Sequence, residues 1–324
     1  MKLLVSTHSF LLEVVLGTDF NLKSITPIAG YHYGICLWPE GHVATMTREE
    51  NAITVYSHSD ENSFLEKKEE FIPSGEYKDV HQVARQGNIA LVANTGFNEI
   101  SLIQDGKYFG GYRFGGFSSD VNHVNSVFPM GETKMLVMLH NGGKTSSQIC
   151  VLEHINGAIK EITRFPTWDT GCHNIFTDGG IIAYNASGRG DFVVIDVATE
   201  SVINRRRFPG HHTKGLAVTK DHYIVGYSEH AKREKRLASR GYLAFVNRES
   251  LCIDATIDLN RINGPVGNVN EVRCLTGVDL SHGLAADPDV KWEELRMSDQ
   301  DLVYKYFSRH VEYLRRKIVK ICRT

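Results

Sequence analysis

Six copies of one strand–turn–strand unit set the tightest limit on what this chain of 324 residues can fold into. They read LEVVLGTDFNLKSITPI from Leu12, AITVYSHSDENSFLEKKEEF from Ala52, EISLIQDGKYFGGYRF from Glu99, QICVLEHINGAIKEITRF from Gln148, DFVVIDVATESVINRRRF from Asp191 and GYLAFVNRESLCIDATIDL from Gly241. In each, an alternating, β-branched run meets a second one across polar turn residues, the pattern of a hairpin. The copies recur at roughly 40 to 50 residues, the interval of propeller blades. Two more strands precede each hairpin. The nearer set reads KLLVST, HVATMT, NIALVANTG, KMLVMLHNG, GIIAYNAS and HYIVGYSE. The farther set reads YHYGICLW from Tyr31, DVHQVA from Asp79, HVNSVF from His123, GCHNIF from Gly171, HTKGLAV from His212 and NVNEVRCL from Asn268.

The last of these follows all the hairpins, and the opening of the chain lacks one. A ring of sheets avoids unpaired edges only when its ends join. The expected fold is therefore all-β: a six-bladed β-propeller over residues 1–280. Asn268–Leu275 would be the innermost strand of a closing blade, and Lys2–Ile28 would supply its outer three. The opening MKLLVSTHSFLLEVVLG reads as strands and not as a leader, because His8 and Glu13 interrupt the apolar stretch.

Residues 281–324 leave the repeat. Ala285–Val290 reads as a loop, and an amphipathic helix is expected from Ser298. Leu302, Val303, Phe307, Val311, Leu314, Ile318 and Ile321 recur at helical spacing. Lys305, Arg309, Arg315, Arg316, Lys317, Lys320 and Arg323 make its other side basic. Two readings stay open: a docked helix with a solvated basic face, or a surface for an anionic membrane, a protein partner or a second copy.

Thirty-six basic against 38 acidic residues give a formal charge of −2, which argues against a dedicated nucleic-acid binder. Six cysteines are scattered without a CxxC, the usage of reduced thiols, and a cytoplasmic chain is expected. No apolar run approaches the ~20 residues of a membrane span.

Innermost propeller strands line the central channel, and strand residues two apart share a face. Aligning the farther set on Ile35, Val83, Val127, Ile175, Leu216 and Val272 gives a register. It places Tyr33, His81, Asn125, His173, Lys214 and Asn270 in one inward layer. Tyr31, Asp79, His123, Gly171, His212 and Asn268 form a second. Four histidines from successive blades suit a divalent metal or acid–base chemistry. The candidate metal ligands are His81, His123, His173 and His212. His81, His173 and Lys214 are the candidate catalytic groups, with the lysine as base, clamp for an anion, or partner of Asp79. Tyr33, Asp79, Asn125, Asn268 and Asn270 are the candidate substrate contacts. Glu271 and Arg273 alternate with the inward set and are expected between blades, as a buried ion pair. The insertion Glu229–Arg240, with Lys232, Arg233, Lys235, Arg236 and Arg240, either covers one channel mouth and selects an anion or is a solvated charged loop.

The six copies, with HVNSVFPMGETKMLVML and HTKGLAVTKDHYIVGYS each followed by a hairpin, resemble six-bladed propellers of the gluconolactonase/regucalcin and NHL kind over about residues 2–280. The resemblance implies the architecture. In the gluconolactonase-like family a central divalent metal, usually calcium, is held by a glutamate, asparagines and an aspartate. Asn125 and Lys214 stand at the positions of those asparagines, and Tyr31 and Tyr33 where the glutamate would be. A lysine is not a calcium ligand, so the histidine-rich channel looks like a site for a softer ion or for acid–base work.

Two functions are expected from this reading. One is an enzyme acting on a small polar, anionic molecule in the channel, as a hydrolase, lyase or isomerase, with a divalent metal as an open option. The other is a non-catalytic propeller scaffold for a protein or small-molecule partner.

Overall fold

The computed structural model of the protein describes residues 1–47, 50–57, 65–116, 119–262 and 264–295. Among them, twenty-four strands form six four-stranded antiparallel sheets. Strands β1 (Lys2–Thr7), β2 (Phe10–Leu16) and β3 (Leu22–Ala29) open the chain. Blade one is β4 (His32–Leu37), β5 (Val43–Thr47), β6 (Ile53–Ser57) and β7 (Glu66–Phe71). Blade two is β8 (Val80–Gln86), β9 (Ile89–Asn94), β10 (Glu99–Gln104) and β11 (Lys107–Arg113). Blade three is β12 (Val124–Met130), β13 (Lys134–Leu139), β14 (Gln148–Ile155) and β15 (Ala158–Pro166). Blade four is β16 (Cys172–Thr177), β17 (Ile181–Ala186), β18 (Asp191–Asp196) and β19 (Ser201–Arg207). Blade five is β20 (His211–Val218), β21 (His222–Glu229), β22 (Gly241–Asn247) and β23 (Ile253–Asp258). The last strand, β24 (Val269–Cys274), lies beside β1 with Leu3 opposite Cys274 and Val5 opposite Val272. The closing blade thus joins the two ends as β24-β1-β2-β3, as the missing first strand implied.

Local chemistry makes the hairpins. Asp105–Gly106 and Asn156–Gly157 both take positive φ at both turn positions, the two-residue turn whose twist matches that of flanking strands. The middle strands of each blade are apolar on both faces because neighbouring blades pack against them. Tyr184, Phe192 and Phe245 on middle strands, and Phe128 and Phe176 on innermost ones, are fully buried between the blades.

Each innermost strand carries one register shift near its start. The shifts fall between Tyr33 and Ile35, Val80 and Gln82, Val124 and Ser126, His173 and Ile175, and Thr213 and Leu216; in β24 Asn270 is skipped. Six strands crowd one axis, and a bulge increases local twist and turns a side chain. Glycine is required where the crowding is worst. Gly34 has φ +66, and a Cβ there would run into the Val83 backbone nitrogen.

The bulges break the strict two-residue alternation and correct one expectation. Glu271 does not sit between blades. Its carboxylate accepts from Gln82 Nε2 at 2.6 Å and from Asn174 Nδ2 at 3.0 Å, and those residues belong to two other blades. Blades two, four and closing alternate around the ring, so this oxygen pair lies at the axis. Arg273 joins it at 2.7 Å, so the ion pair is present and buried, with the side chains 4% and 2% exposed. Burial pushes the Glu271 carboxyl up, opposed by the Arg273 guanidinium.

The chain beyond Gly277 runs along the ends of the innermost strands. Asp279 accepts from Val218 N and Cys274 N, Leu284 pairs with Met130, and Lys134 meets Asp287 at 2.5 Å. Trp292, 1% exposed, ends the segment inside the largest apolar cluster. This segment lies at the mouth opposite the starts of β8, β12 and β16. The amphipathic helix expected from Ser298 lies outside the described residues. No helix among the described residues is long and apolar enough to cross a membrane.

Candidate functional site

The starts of the innermost strands open on the other mouth, and there the rings gather. Successive centroids are 4.8 Å apart from His8 to Tyr31, 5.0 Å from Tyr31 to Tyr33 and 4.9 Å from Tyr33 to His81. The next three steps, His81 to His123, His123 to His140 and His140 to His173, are each 4.8 Å. This arc runs from the closing blade through blade four. Lys214 of blade five completes it. Its Nζ lies 4.6 Å over the Tyr33 ring and 3.4 Å from Asn270 Oδ1 of the closing blade. Side chains from all six blades therefore meet around one space.

Two of the histidines are held identically. His81 Nδ1 lies 2.8 Å from its own Asp79 carbonyl and 2.8 Å from Thr95 Oγ1. His173 Nδ1 lies 3.0 Å from the Gly171 carbonyl and 2.9 Å from Ser187 Oγ. A carbonyl only accepts, so each Nδ1 carries a hydrogen and donates. In the neutral ring, Nε2 is left with the lone pair. Thr95 in turn donates to the Val124 carbonyl and Ser187 to the Thr213 carbonyl, each on the next blade. These hydroxyls therefore tie ring orientation to the packing between blades.

The electrostatics keep His140 and His173 neutral. His173 is held well below the ordinary imidazole range, first by desolvation, then by Lys214 and the neighbouring imidazoles. Desolvation, His123 and Lys214 bring His140 down to about 3, against Asp120, which raises it. His123 Nδ1 meets Asp120 Oδ2 at 2.7 Å. His123 lies in the turn before β12 at φ +52, with Asp79 at +50 and Gly171 at +65 in the matching turns. Left-handed backbone costs a non-glycine residue roughly 1–3 kcal/mol, and it aims the His123 ring between His81 and His140.

The expected residues divide. The structure brings His81, His123, His173, Tyr33, Lys214 and Asn270 together. Asn125 turns aside and donates to the Cys172 carbonyl at 2.9 Å, a contact between blades. The Asn268 carbonyl accepts from His8 N at 3.0 Å. His212 stacks on His230 at 4.2 Å with Nδ1 3.3 Å from the Ser187 carbonyl, and among the described residues no ring contact joins it to the other three. Its pKa falls to about 4 through desolvation, against the Ser187 carbonyl. Among the described residues no group of three or more His, Cys, Asp or Glu side chains is placed to hold a metal ion. His140 stands outside the two aligned layers, yet it fills the gap between His123 and His173. The signal was available: it follows β13 where Thr95 follows β9 and Ser187 follows β17, each one residue past the last ladder pair.

No known protein-family profile matches the chain, and no curated protein does. Solved structures do. One from Bacteroides caccae, described as of unknown function, has a TM-score of 0.58 at 11% identity, covering 84% of this chain and 97% of that one. A chain of a nidogen/laminin complex has a TM-score of 0.55 at 9% identity, over 84% and 97%. The WD40 β-propeller domain of Doa1 has a TM-score of 0.51 at 14% identity, over 80% and 79%. Identities this low speak for the fold alone, and by its sheets, closure and neighbours the chain is a six-bladed β-propeller.

Proposed function

We propose that this propeller binds a small anionic molecule at the ring-lined mouth and moves protons on it. The matched anchoring of His81 and His173 carries the reading. Each ring is fixed through Nδ1 by a carbonyl and a hydroxyl, which puts the basic lone pair of the neutral ring on Nε2, the atom general acid–base catalysis would use. Lys214, held over the Tyr33 ring and beside Asn270, supplies the positive charge at this mouth that draws the anion in. The reaction class is hydrolysis, elimination or isomerisation, each of which needs a proton taken and returned.

A thermal-shift screen of small carboxylates and phosphates on the purified chain tests this. An anion that stabilises the parent should lose its effect in Lys214→Met. His81→Gln and His173→Gln should still bind it but turn it over at least ~100-fold more slowly, the usual worth of a general base. If no anion stabilises the parent, the mouth is not a ligand site. The reading of a non-catalytic scaffold would then stand.

A further inference from the structure

Blade five carries the insertion Glu229–Arg240 between β21 and β22, with a short turn of 3-10 helix at Arg233–Ala238. It packs on the lead-in to β24. Gly267 N donates to the Ser239 carbonyl at 2.9 Å. A Cβ on Gly267 would lie 3.2 Å from the Arg236 carbonyl oxygen and 2.8 Å from His8 Cβ. Around this contact four buried polar atoms have no hydrogen-bond partner among the described residues: Arg236 Nε, Ser239 Oγ, Asn268 Oδ1 and His212 Nε2. A buried polar atom left unsatisfied costs about 1–3 kcal/mol, and native interiors keep few of them. Arg236 and Ser239 lie on the insertion, Asn268 follows the Gly267 that packs on it, and His212 feels the Arg236 charge, so the four border one edge of the mouth and point to a group that completes them.

Their chemistry describes that group. Arg236 Nε donates. Asn268 Oδ1 accepts. His212 Nδ1 faces the Ser187 carbonyl and so carries the hydrogen, which makes Nε2 an acceptor. The complement is one oxygen acceptor and at least one O–H donor. Arg236 and Lys214 both lower His140 and His212, so two fixed cations act on the same space. The acceptor is therefore an oxyanion, and the donor is a hydroxyl and not an ammonium.

We propose that the insertion completes the ligand site, and that Arg236 is its specificity-determining contact for a small organic oxyanion bearing a free hydroxyl. The oxyanion sits on Arg236 and the hydroxyl donates to His212 Nε2 or Asn268 Oδ1. This rests on the mouth being a ligand site.

Calorimetric titration of the full chain with glycerate, glycerol 3-phosphate, propionate and glycerol, each to about 10 mM, tests it. Glycerate or glycerol 3-phosphate should bind, and which of the two binds more tightly tells a carboxylate from a phosphate. Propionate and glycerol, each lacking one half of the pattern, should bind at least about tenfold more weakly. Arg236→Gln should weaken the hydroxylated anion at least about tenfold, whereas Arg233→Gln, on the exposed side of the same turn, should leave it unchanged. Equal binding by Arg236→Gln and the parent, or by propionate and glycerate, overturns the proposal. If Lys214→Met abolishes binding while Arg236→Gln keeps it, the mouth remains an anion site without the insertion. If none of the four binds the parent, the proposal falls, whereas the anion site is refuted only if the wider screen also fails.

Discussion

Acid should unfold this protein early, and four histidines set the scale. Desolvation lowers His32 to about 4, His140 to about 3, His212 to about 4 and His282 to about 4. In the unfolded chain each returns to about 6.5. The folded state therefore binds fewer protons than the unfolded state between these values. Stability is full above pH 6.5 and is lost as pH falls towards 4. Lowering the pH from 7 to 5 costs close to ~2 kcal/mol per ring by this linkage, or about 7 kcal/mol for the four. Glu13 and Glu271, both raised by burial, work in the opposite sense and offset part of the loss. A domain holds only about 5–15 kcal/mol in total, so the midpoint of urea unfolding should fall steeply between pH 7 and pH 5. His282→Asn, at the mouth away from the site, should remove close to one proton from the slope. A urea midpoint that is flat from pH 7 to pH 5, or a His282→Asn slope equal to the parent's, would refute the reasoning.

Glu271→Gln turns an acceptor facing Gln82, Asn174 and Arg273 into an amide that must aim a donor at one of them. A loss of about 3 kcal/mol is expected, read as a lower denaturant midpoint at constant slope, and an unchanged midpoint would show that the axial layer adds nothing. Gly34→Ala and Gly41→Ala both place a side chain at positive φ, but only Gly34 faces the neighbouring backbone, and nothing lies within 4 Å of Gly41. Chemical denaturation should find Gly41→Ala costing roughly 1 kcal/mol and Gly34→Ala clearly more, and equal costs would deny the close approach of β4 to β8.

The sequence by itself determined the blades and their closure. Strand periodicity and turn residues are local properties, so Asp105–Gly106 and the alternating runs declare themselves wherever they stand. The strand NVNEVRCL after the last hairpin needed a partner, and only the opening of the chain had one to offer. Which side chains face the axis was decided by the tertiary structure. Six strands crowding one line force a bulge in each, and the bulge lets neighbours such as His81 and Gln82, or Asn270 and Glu271, reach inward at two levels. Alternation allows only one of each pair, so Glu271 was placed between blades and Asn125 in the channel. His140 and His123 reach the site from turns, where no period applies, and their direction comes from backbone bent by packing. The desolvation that lowers His140 and His173 is likewise a property of the closed ring, since it depends on what surrounds each imidazole and not on its neighbours in the chain.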